Sequence, residues 1–316
     1  MVRAAATNYQ AGRLSDYLSA LSERSCPQGT RSAAPQAISI RTAPAELKAI
    51  NPLRSELTFV AGFHITSPDR RFGGLSGLDL LDDGSLLAVS DVGNFVWIDV
   101  APDGVTPVGA RISKMRDAAG ALLANAADGD AEGLAVKGGM ALVSFEFNHR
   151  ILAFDLGKCG AAARGAPIAF GPYGLPLTQA FAYSGLSYDE NKGAEALGIT
   201  DDWYVFAGSE ARFNEQSMMS ARPIEAEPDF DLRVGANAPD FAGMDVLPAP
   251  YEGKDARTFM LYRSFSQLSG AAISIIETDF RRHLDKGGFF RQFRGEIDER
   301  SHNWFVETGW REFAKL

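Results

Sequence analysis

Cysteine and histidine are scarce in this chain of 316 residues, which holds two cysteines and four histidines. Cys26 and Cys159 are too few and too far apart to predict a disulfide framework, and no Cys-x-x-Cys or Cys/His cluster indicates zinc or thiol redox chemistry. No His-Glu-x-x-His spacing is present either. Any metal site should therefore hold a hard cation through oxygen ligands.

Positive charge and long apolar runs are also lacking. Lys and Arg total 31 against 40 for Asp and Glu, a net charge of -9, so nucleic acid is not an expected partner. No apolar run reaches the roughly 18 residues of a membrane-spanning helix, so we expect no membrane span. Residues 1–25 lack the apolar core of a secretory signal, so we expect no export signal in this chain.

What the sequence has in quantity favours short strands. Hydrophobic residues make up 46% of the chain and charged residues 22%, which suffices for a substantial core. The 32 glycines and 21 phenylalanines suit short strands joined by tight turns, and runs such as SLLAVS, MALVSF and TFMLYR recur. Only residues 114–127 have the pattern of a longer helix. The predicted fold class is all-β.

Four segments repeat one pattern, in which a small residue, usually glycine, precedes an aliphatic residue. They are GLSGLDL (74–80), DAEGLAV (130–136), GAEALGI (193–199) and DFAGMDV (240–246). The position before the small residue holds Ser76, Glu132, Glu195 or Ala242. A charged residue follows that small residue by 13 to 20 positions, at the end of the next predicted strand: Asp91, Glu146, Glu210 and Arg263.

This periodicity predicts a β-propeller of five or six blades, incomplete at the C-terminus. The repeats are 56, 63 and 47 residues apart, longer than plain blades, so the loops 107–129, 158–192 and 212–239 are expected to be insertions. Radial blades point the same position of every repeat toward one axis. Two tiers of residues would then converge at the tunnel mouth: a first tier of Ser76, Glu132 and Glu195, and a second tier of Asp91, Glu146 and Glu210.

Several carboxylates at close range repel one another and need a cation, and oxygen ligands favour Ca²⁺ first, with Mg²⁺ or Mn²⁺ behind it. Such an ion can polarise a phosphoryl or acyl oxygen, and Arg263 could bind an anionic substrate. We therefore predict a metal-dependent hydrolase of phosphoesters or small activated carboxylic esters. The predicted metal ligands are Asp91, Glu132, Glu146, Glu195 and Glu210. The predicted catalytic residues are Glu132, Glu195, Asp91, Arg263 and His149, and the predicted substrate-binding residues are Arg263, Arg150 and Ser76.

Other interpretations of the same residues stay open. The repeated acids could bond backbone N–H groups at blade turns, and His149 and Arg150 could close a turn. The alternative function is a non-catalytic propeller that binds a ligand or protein partner and holds structural calcium ions. A serine esterase is a third choice, because no Gly-x-Ser-x-Gly motif occurs and Ser76 has no evident histidine partner.

The motifs RRFGGLSGLDLLDDGSLLAVSDVGNF, DAEGLAV, LVSFEFNHRILAFDL, NKGAEALGI and LYRSF occur in the order found in the phytase-like family known as "esterase-like activity of phytase", which residues 57–298 resemble. The resemblance implies a bacterial, periplasmic or secreted, propeller-like domain with hydrolase activity on phosphate or carboxylic esters. By matched motif position, the resemblance also implies that the two tiers of residues and Arg263 are site residues.

The resemblance also divides the chain into three parts. Residues 1–50 are expected to be an irregular tail or a replaced export segment, and residues 51–298 the propeller domain. The sequence ERSHNWFVETGWREFAKL within 299–316 departs from the family pattern and matches no blade strand, so the last blade is expected to be missing. An unclosed propeller exposes strand edges. We therefore expect the chain to be able to self-associate through that edge.

Overall fold

Most of the described chain is β-strand, arranged in antiparallel sheets. The computed structural model describes residues 2–45, 60–168, 193–213, 216–225, 231–236, 240–246, 256–266, 270–280 and 304–308. Before the first sheet, the chain forms helix α1 (Val2–Ser25). Two short helices follow later, α2 (Ala126–Gly129) and α3 (Leu156–Cys159). None of the described helices has the length and apolarity needed to cross a membrane.

Four sheets form the blades of a propeller, each named here by its order along the chain. Blade 1 has the strand order β1 (Gln36–Ile38), β7 (Pro107–Lys114), β6 (Asn94–Val100), β5 (Leu86–Ser90) and β4 (Leu75–Leu80). Blade 2 is β8 (Ala131–Lys137), β9 (Met140–Phe145), β10 (Arg150–Asp155) and β11 (Ala166–Ile168). Blade 3 is β12 (Ala194–Ile199), β13 (Tyr204–Phe213), β14 (Gln216–Pro223) and β15 (Asp231–Ala236). Blade 4 is β16 (Asp240–Val246), β17 (Ala256–Ser266), β18 (Gly270–Phe280) and β19 (Trp304–Thr308).

A separate pair, β2 (Arg41–Pro44) and β3 (Phe63–Thr66), lies outside the blades. The predicted all-β propeller is confirmed, and its ring is not closed within the described residues. The count of five or six blades stays a prediction. The loops expected to be insertions instead contain outer strands of the blades, namely β7, β11, β14 and β15.

The four sequence repeats are the first strands of the four blades, β4, β8, β12 and β16, and neighbouring first strands pack side by side. Each of these strands shifts register where the repeat places its small residue, as between Leu75 and Leu78 in β4. A Cβ on Gly77 would lie 2.7 Å from the backbone nitrogen of Leu134 and 2.8 Å from the carbonyl oxygen of Glu132. The repeat needs glycine here because adjacent blades approach to backbone contact near the axis.

The prediction of a helix over residues 114–127 is wrong. Strand β7 ends at Lys114, and the chain then folds into a tight turn in which Arg116 bridges to Leu122 around Gly120, whose φ is 93°. A positive φ interrupts helical geometry. Only the single turn of α2 is helical, with the Asn125 side chain accepting a bond from the Asp128 backbone N–H.

The N-terminal segment differs from the irregular tail expected for it. Leu21 on α1 is fully buried against blade 2 and packs in one cluster with Leu142 and Ile151. The Ser25 hydroxyl donates to the Arg164 carbonyl at 2.7 Å. Strand β1 extends blade 1 through β7.

A disulfide between Cys26 and Cys159 joins the end of α1 to the loop after α3, across 133 residues. The sequence analysis did not predict this disulfide. The C-terminal segment differs from expectation as well, since β19 within 299–316 pairs with β18 as the outer strand of blade 4.

Candidate metal centre

Two groups of three carboxylates lie at one end of the first strands, in positions where each residue offers an oxygen within 4.8 Å of the others. One group is Asp130, Glu132 and Glu146, and the other is Glu146, Glu195 and Glu210. Glu146 belongs to both groups and is 96% buried, with 4% of its surface exposed. The groups come from β8, the end of β9, β12 and β13. The structure therefore brings both predicted tiers together across blades 2 and 3.

One backbone hydrogen bond, repeated in three blades, positions the second tier. The N–H of Asp91 donates to the Gly74 carbonyl at 2.9 Å. In the next blade the Glu146 N–H donates to Asp130 at 2.9 Å, and in blade 3 Glu210 makes the equivalent bond at 3.1 Å. Each second-tier residue is thereby tied to the residue that opens the first strand of its own blade.

Hydrogen bonds between blades fix the Glu146 carboxylate. The Gly193 N–H donates to its Oε1 at 2.7 Å. Nearby, the buried Ser144 hydroxyl accepts from the Gly133 N–H at 2.9 Å and donates to the Ala194 carbonyl of β12. Ser144 of β9 thus bonds to both β8 and β12, close to the carboxylates along the chain. These hydrogen bonds hold blades 2 and 3 together.

Burial and mutual repulsion make these carboxyl groups weak acids. Burial, followed by repulsion from Glu195 and Glu146, raises the pKa of Glu132 to about 10. Burial and the charge of Glu210 raise the pKa of Glu195 to about 8. Burial also raises the pKa of both Glu146 and Asp130 above their ordinary values. The cluster therefore needs protons or a cation to neutralise it.

Arg263 on β17 supplies one positive charge to the cluster. Its Nη2 donates to Glu210 Oε1 at 3.0 Å, and 41% of its side chain is exposed. Burial by itself lowers the pKa of Arg263, but the charges of Glu195 and Glu210 outweigh that effect and raise it. One guanidinium cannot balance the carboxylates around it. The donor set consists of carboxylate oxygens, which fits a hard divalent cation such as Ca²⁺.

His149 lies in the turn between β9 and β10, and Arg150 is the first residue of β10. His149 is buried, and its Nδ1 would lie 3.2 Å from a Cβ on Gly193, beside Glu146. Burial lowers the pKa of His149 to about 4, against a smaller opposite effect of a hydrogen bond with the Phe145 backbone, so the imidazole is neutral at neutral pH. The Arg150 guanidinium lies 4.2 Å from the Phe145 ring centroid.

The Arg150 guanidinium also donates to two backbone carbonyls, of Asn148 at 2.6 Å and of Asp128. Through these hydrogen bonds, the Arg150 side chain closes the turn. Ser76 and Asp91 are both exposed. Asp91 is not a member of either carboxylate group, although its charge contributes to the raised pKa of Asp130.

Asp130 is the residue of the centre that the sequence analysis missed. It opens the repeat DAEGLAV, but the equivalent positions in the first and third repeats are Gly74 and Gly193. The fourth repeat also begins with an aspartate, Asp240, so a partial signal was present. The tiers were defined by the position before the small residue and by the end of the next strand, and the first position of the repeat was not used. Its position directly before β8, hydrogen-bonded to the Glu146 backbone, brings it into the centre.

The family model "Phytase-like: Esterase-like activity of phytase" matches residues 70–296. The chain belongs to this family. At the level of the family this indicates a hydrolase. A search of the curated proteins finds no match.

Among solved structures, the chain is similar to one from "COPII on membranes, outer coat vertex", with 10% identity, a TM-score of 0.40 and coverage of 87% of this chain. It is also similar to a structure of the Dos1 propeller, with 9% identity and a TM-score of 0.33, over 78% of this chain and 73% of that one. Prolyl oligopeptidase B from Galerina marginata gives 11% identity and a TM-score of 0.33, over 82% of this chain. The chain spans 66% of the COPII chain and 33% of the oligopeptidase.

Proposed function

We propose that this protein is a metal-dependent hydrolase of phosphoesters or small activated carboxylic esters, with its site at the carboxylate groups around Glu146. The observation that carries the proposal is the meeting of two three-carboxylate groups and Arg263 at one end of the first strands, in a chain of the phytase-like family. The residues that would hold the ion are Asp130, Glu132, Glu146, Glu195 and Glu210. Ca²⁺ suits them best, with Mg²⁺ or Mn²⁺ next.

When bound, a divalent cation would polarise a phosphoryl or carbonyl oxygen and lower the pKa of water. The protein's own residues would do the rest. Arg263 keeps guanidinium N–H donors beyond its bond to Glu210, and these would hold an anionic oxygen of the substrate. Glu146, held by the Gly193 N–H, would keep the two carboxylate groups at a fixed separation.

Hydrolysis of a panel of phosphate monoesters, diesters, triesters and a short acyl ester tests the proposal. We expect turnover that is lost on chelation and regained with Ca²⁺, Mg²⁺ or Mn²⁺. A Glu132→Gln, Glu195→Gln double variant should be folded and inactive, while Glu23→Gln, an exposed substitution of the same kind on α1, should keep full activity. No turnover with any ester and any of these ions would overturn the proposal.

The second candidate function, a ligand- or protein-binding propeller with structural calcium, differs in the coordination of the ion. Ca²⁺ takes about 6–8 oxygen ligands, so three carboxylates leave positions that either water or further protein oxygens fill. Replacing Ca²⁺ with Eu³⁺ and comparing its luminescence lifetime in H₂O and D₂O counts the bound waters. Two or more waters support the hydrolase, and none supports the structural ion.

Cellular location and self-association also remain proposals. A periplasmic or secreted location accords with the Cys26–Cys159 disulfide, because such bonds persist in oxidising compartments. Asp79 of β4 accepts a hydrogen bond from β8, whereas Leu78 and Leu80 alternate with it and are 59% and 65% exposed. This face is where an unclosed propeller would associate with another copy. Size-exclusion chromatography across a concentration series tests it.

A further inference from the structure

Two apolar side chains stand directly after carboxylates of the second tier. Val92 follows Asp91 in the β5–β6 turn, and Phe147 follows Glu146 in the β9–β10 turn. Val92 is 46% exposed and Phe147 is 39% exposed. Because Asp91 and Glu146 are repeat-equivalent, two neighbouring blades present an apolar group at the same position of the repeat, and Phe147 directly follows Glu146 of the candidate metal centre.

Helix α2 connects these two turns. A Cβ on Gly129 would lie 3.4 Å from the Val92 carbonyl group, so the end of α2 packs on the first turn. At the other turn, the Asn148 side chain donates to Asp128 Oδ1 at 3.0 Å. The exposed apolar residues therefore belong to one continuous rim, made of the β5–β6 turn, α2 and the β9–β10 turn.

The backbone of Phe147 is held in an unfavourable conformation. Its φ is 51°, in the left-handed region that glycine and asparagine adopt readily and that a bulky residue adopts at a cost. The next residue is Asn148, which tolerates that conformation better. Among the described non-glycine residues, only Phe147 and Trp203 have a positive φ. Strain of this kind concentrates where a side chain is needed in one place for function.

The cations described at this rim already have partners within the protein. Arg150 donates to the carbonyls of Asn148 and Asp128, Lys114 donates to the Val92 carbonyl, and Arg263 pairs with Glu210. A heavily charged substrate would meet mainly carboxylates here. An apolar group would instead cover the exposed ring and the valine and remove their surface from water.

We propose that Phe147, on the same rim as Val92, binds an apolar and preferably aromatic group of the ester substrate. The inference rests on the proposed hydrolase function and adds the substrate class. It makes Phe147 a specificity-determining residue: the carboxylates and Arg263 act on the ester itself, and the ring selects what the ester carries.

A pair of phosphodiesters with one leaving group tests this inference. Para-nitrophenyl phenyl phosphate and para-nitrophenyl methyl phosphate release the same phenolate, so their ratio of kcat/KM isolates the contribution of the second group. We expect the wild type with Ca²⁺ to prefer the phenyl ester, and Phe147→Ala to reduce that preference about tenfold. Phe147→Tyr keeps a ring and should keep the preference. Val108→Ala removes an apolar side chain, 60% exposed on β7, and should change nothing.

Outcomes for this inference and for the proposed function are distinguishable. Metal-dependent turnover of both esters, with an unchanged ratio in Phe147→Ala, overturns the role of the ring and leaves the hydrolase intact. No turnover of either ester by the wild type overturns both. Phe147→Asn separates folding from specificity, because asparagine suits the backbone: it should melt within about 2 °C of the wild type and lose the phenyl preference. If Phe147→Asn lost both the preference for the phenyl ester and cooperative unfolding, the ring would be structural and its proposed role in specificity would be overturned.

Discussion

Chelation of the cation should lower the melting temperature, and Glu195→Gln should abolish that response. Two carboxylates whose oxygens lie within 4.8 Å of each other would repel by about 3 kcal/mol or more if both were ionised, at an effective dielectric constant of about 20. A bound divalent cation would offset this repulsion. Ca²⁺ at about 100 times its dissociation constant would stabilise the fold by about 2.7 kcal/mol. For a chain of this size that corresponds to a rise of roughly 5 °C in melting temperature.

The raised pKa of Glu195 also predicts the direction in which stability changes with pH. Burial and the Glu210 charge raise the pKa of Glu195 to about 8, so the folded protein keeps a proton that the unfolded chain has lost. Stability without metal should therefore be highest at low pH and fall as the pH rises from about 5 toward 8. Glu195→Gln cannot ionise and should show a flatter decline. In chelator at about pH 8, it should be at least as stable as the wild type.

Differential scanning fluorimetry in chelator and in Ca²⁺, across that pH range, measures both effects. Glu23→Gln on α1 is the control and should respond to Ca²⁺ as the wild type does. An unchanged melting temperature on chelation would contradict this prediction, and so would a Glu195→Gln variant that responds to Ca²⁺ as the wild type does. Either result would mean that these carboxylates are neutralised without a cation.

Three further substitutions, with a control for the first, test packing contacts of the fold, each by its urea midpoint. Gly133→Ala should cost about 1–3 kcal/mol, because a Cβ there would lie 2.6 Å from Ser144 Oγ in the same blade and 3.2 Å from the Glu195 carbonyl oxygen of blade 3. The repeat-equivalent Gly243→Ala is the control and should be tolerated, because its nearest contact is 3.5 Å away. Equal costs would refute the tight packing around Gly133. Leu21→Ala should cost about 2–5 kcal/mol, since Leu21 is fully buried; a cost near zero would show that α1 does not dock. Cys26→Ser should cost about 2–4 kcal/mol, and reduction of the wild type should reproduce it; insensitivity to reductant would refute the disulfide.

The sequence predicted the parts of the centre that follow the repeat. Glu132 and Glu195 stand at one repeat position, and Glu146 and Glu210 at another, so periodicity alone placed them at the same level of neighbouring blades. The register shift in every first strand explains why this worked, because the bulge lies at the repeat position itself. Asp130 was missed because its equivalents in the first and third repeats are glycines, although the fourth repeat has Asp240 at that position.

The parts that the sequence did not predict depend on contacts distant along the chain. The cysteine pair spans 133 residues, and nothing local to either cysteine indicates its partner. The alanine-rich stretch of α1 has no apolar face pronounced enough to predict docking, yet Leu21 fills a space between strands of blade 2. Strand β19 is recognised as part of blade 4 only through its pairing with β18. Each of these features is decided by tertiary packing, which overrides local propensity.

Packing near the axis and the chemistry of the centre have a common origin. Adjacent first strands approach closely because the repeat carries a small residue, glycine in three repeats and Ala196 in the third, as where a Cβ on Gly133 would lie 3.2 Å from the Glu195 carbonyl oxygen. The same approach forces the neighbouring glutamates within 4.8 Å and buries them, which raises their pKa values. Separating the blades would relieve the repulsion but would break the Ser144 and Glu146 hydrogen bonds between them. Protonation or a bound cation would relieve the repulsion without moving the blades, and the proposed ion at Glu146 would do so even where the pH favours ionised carboxylates.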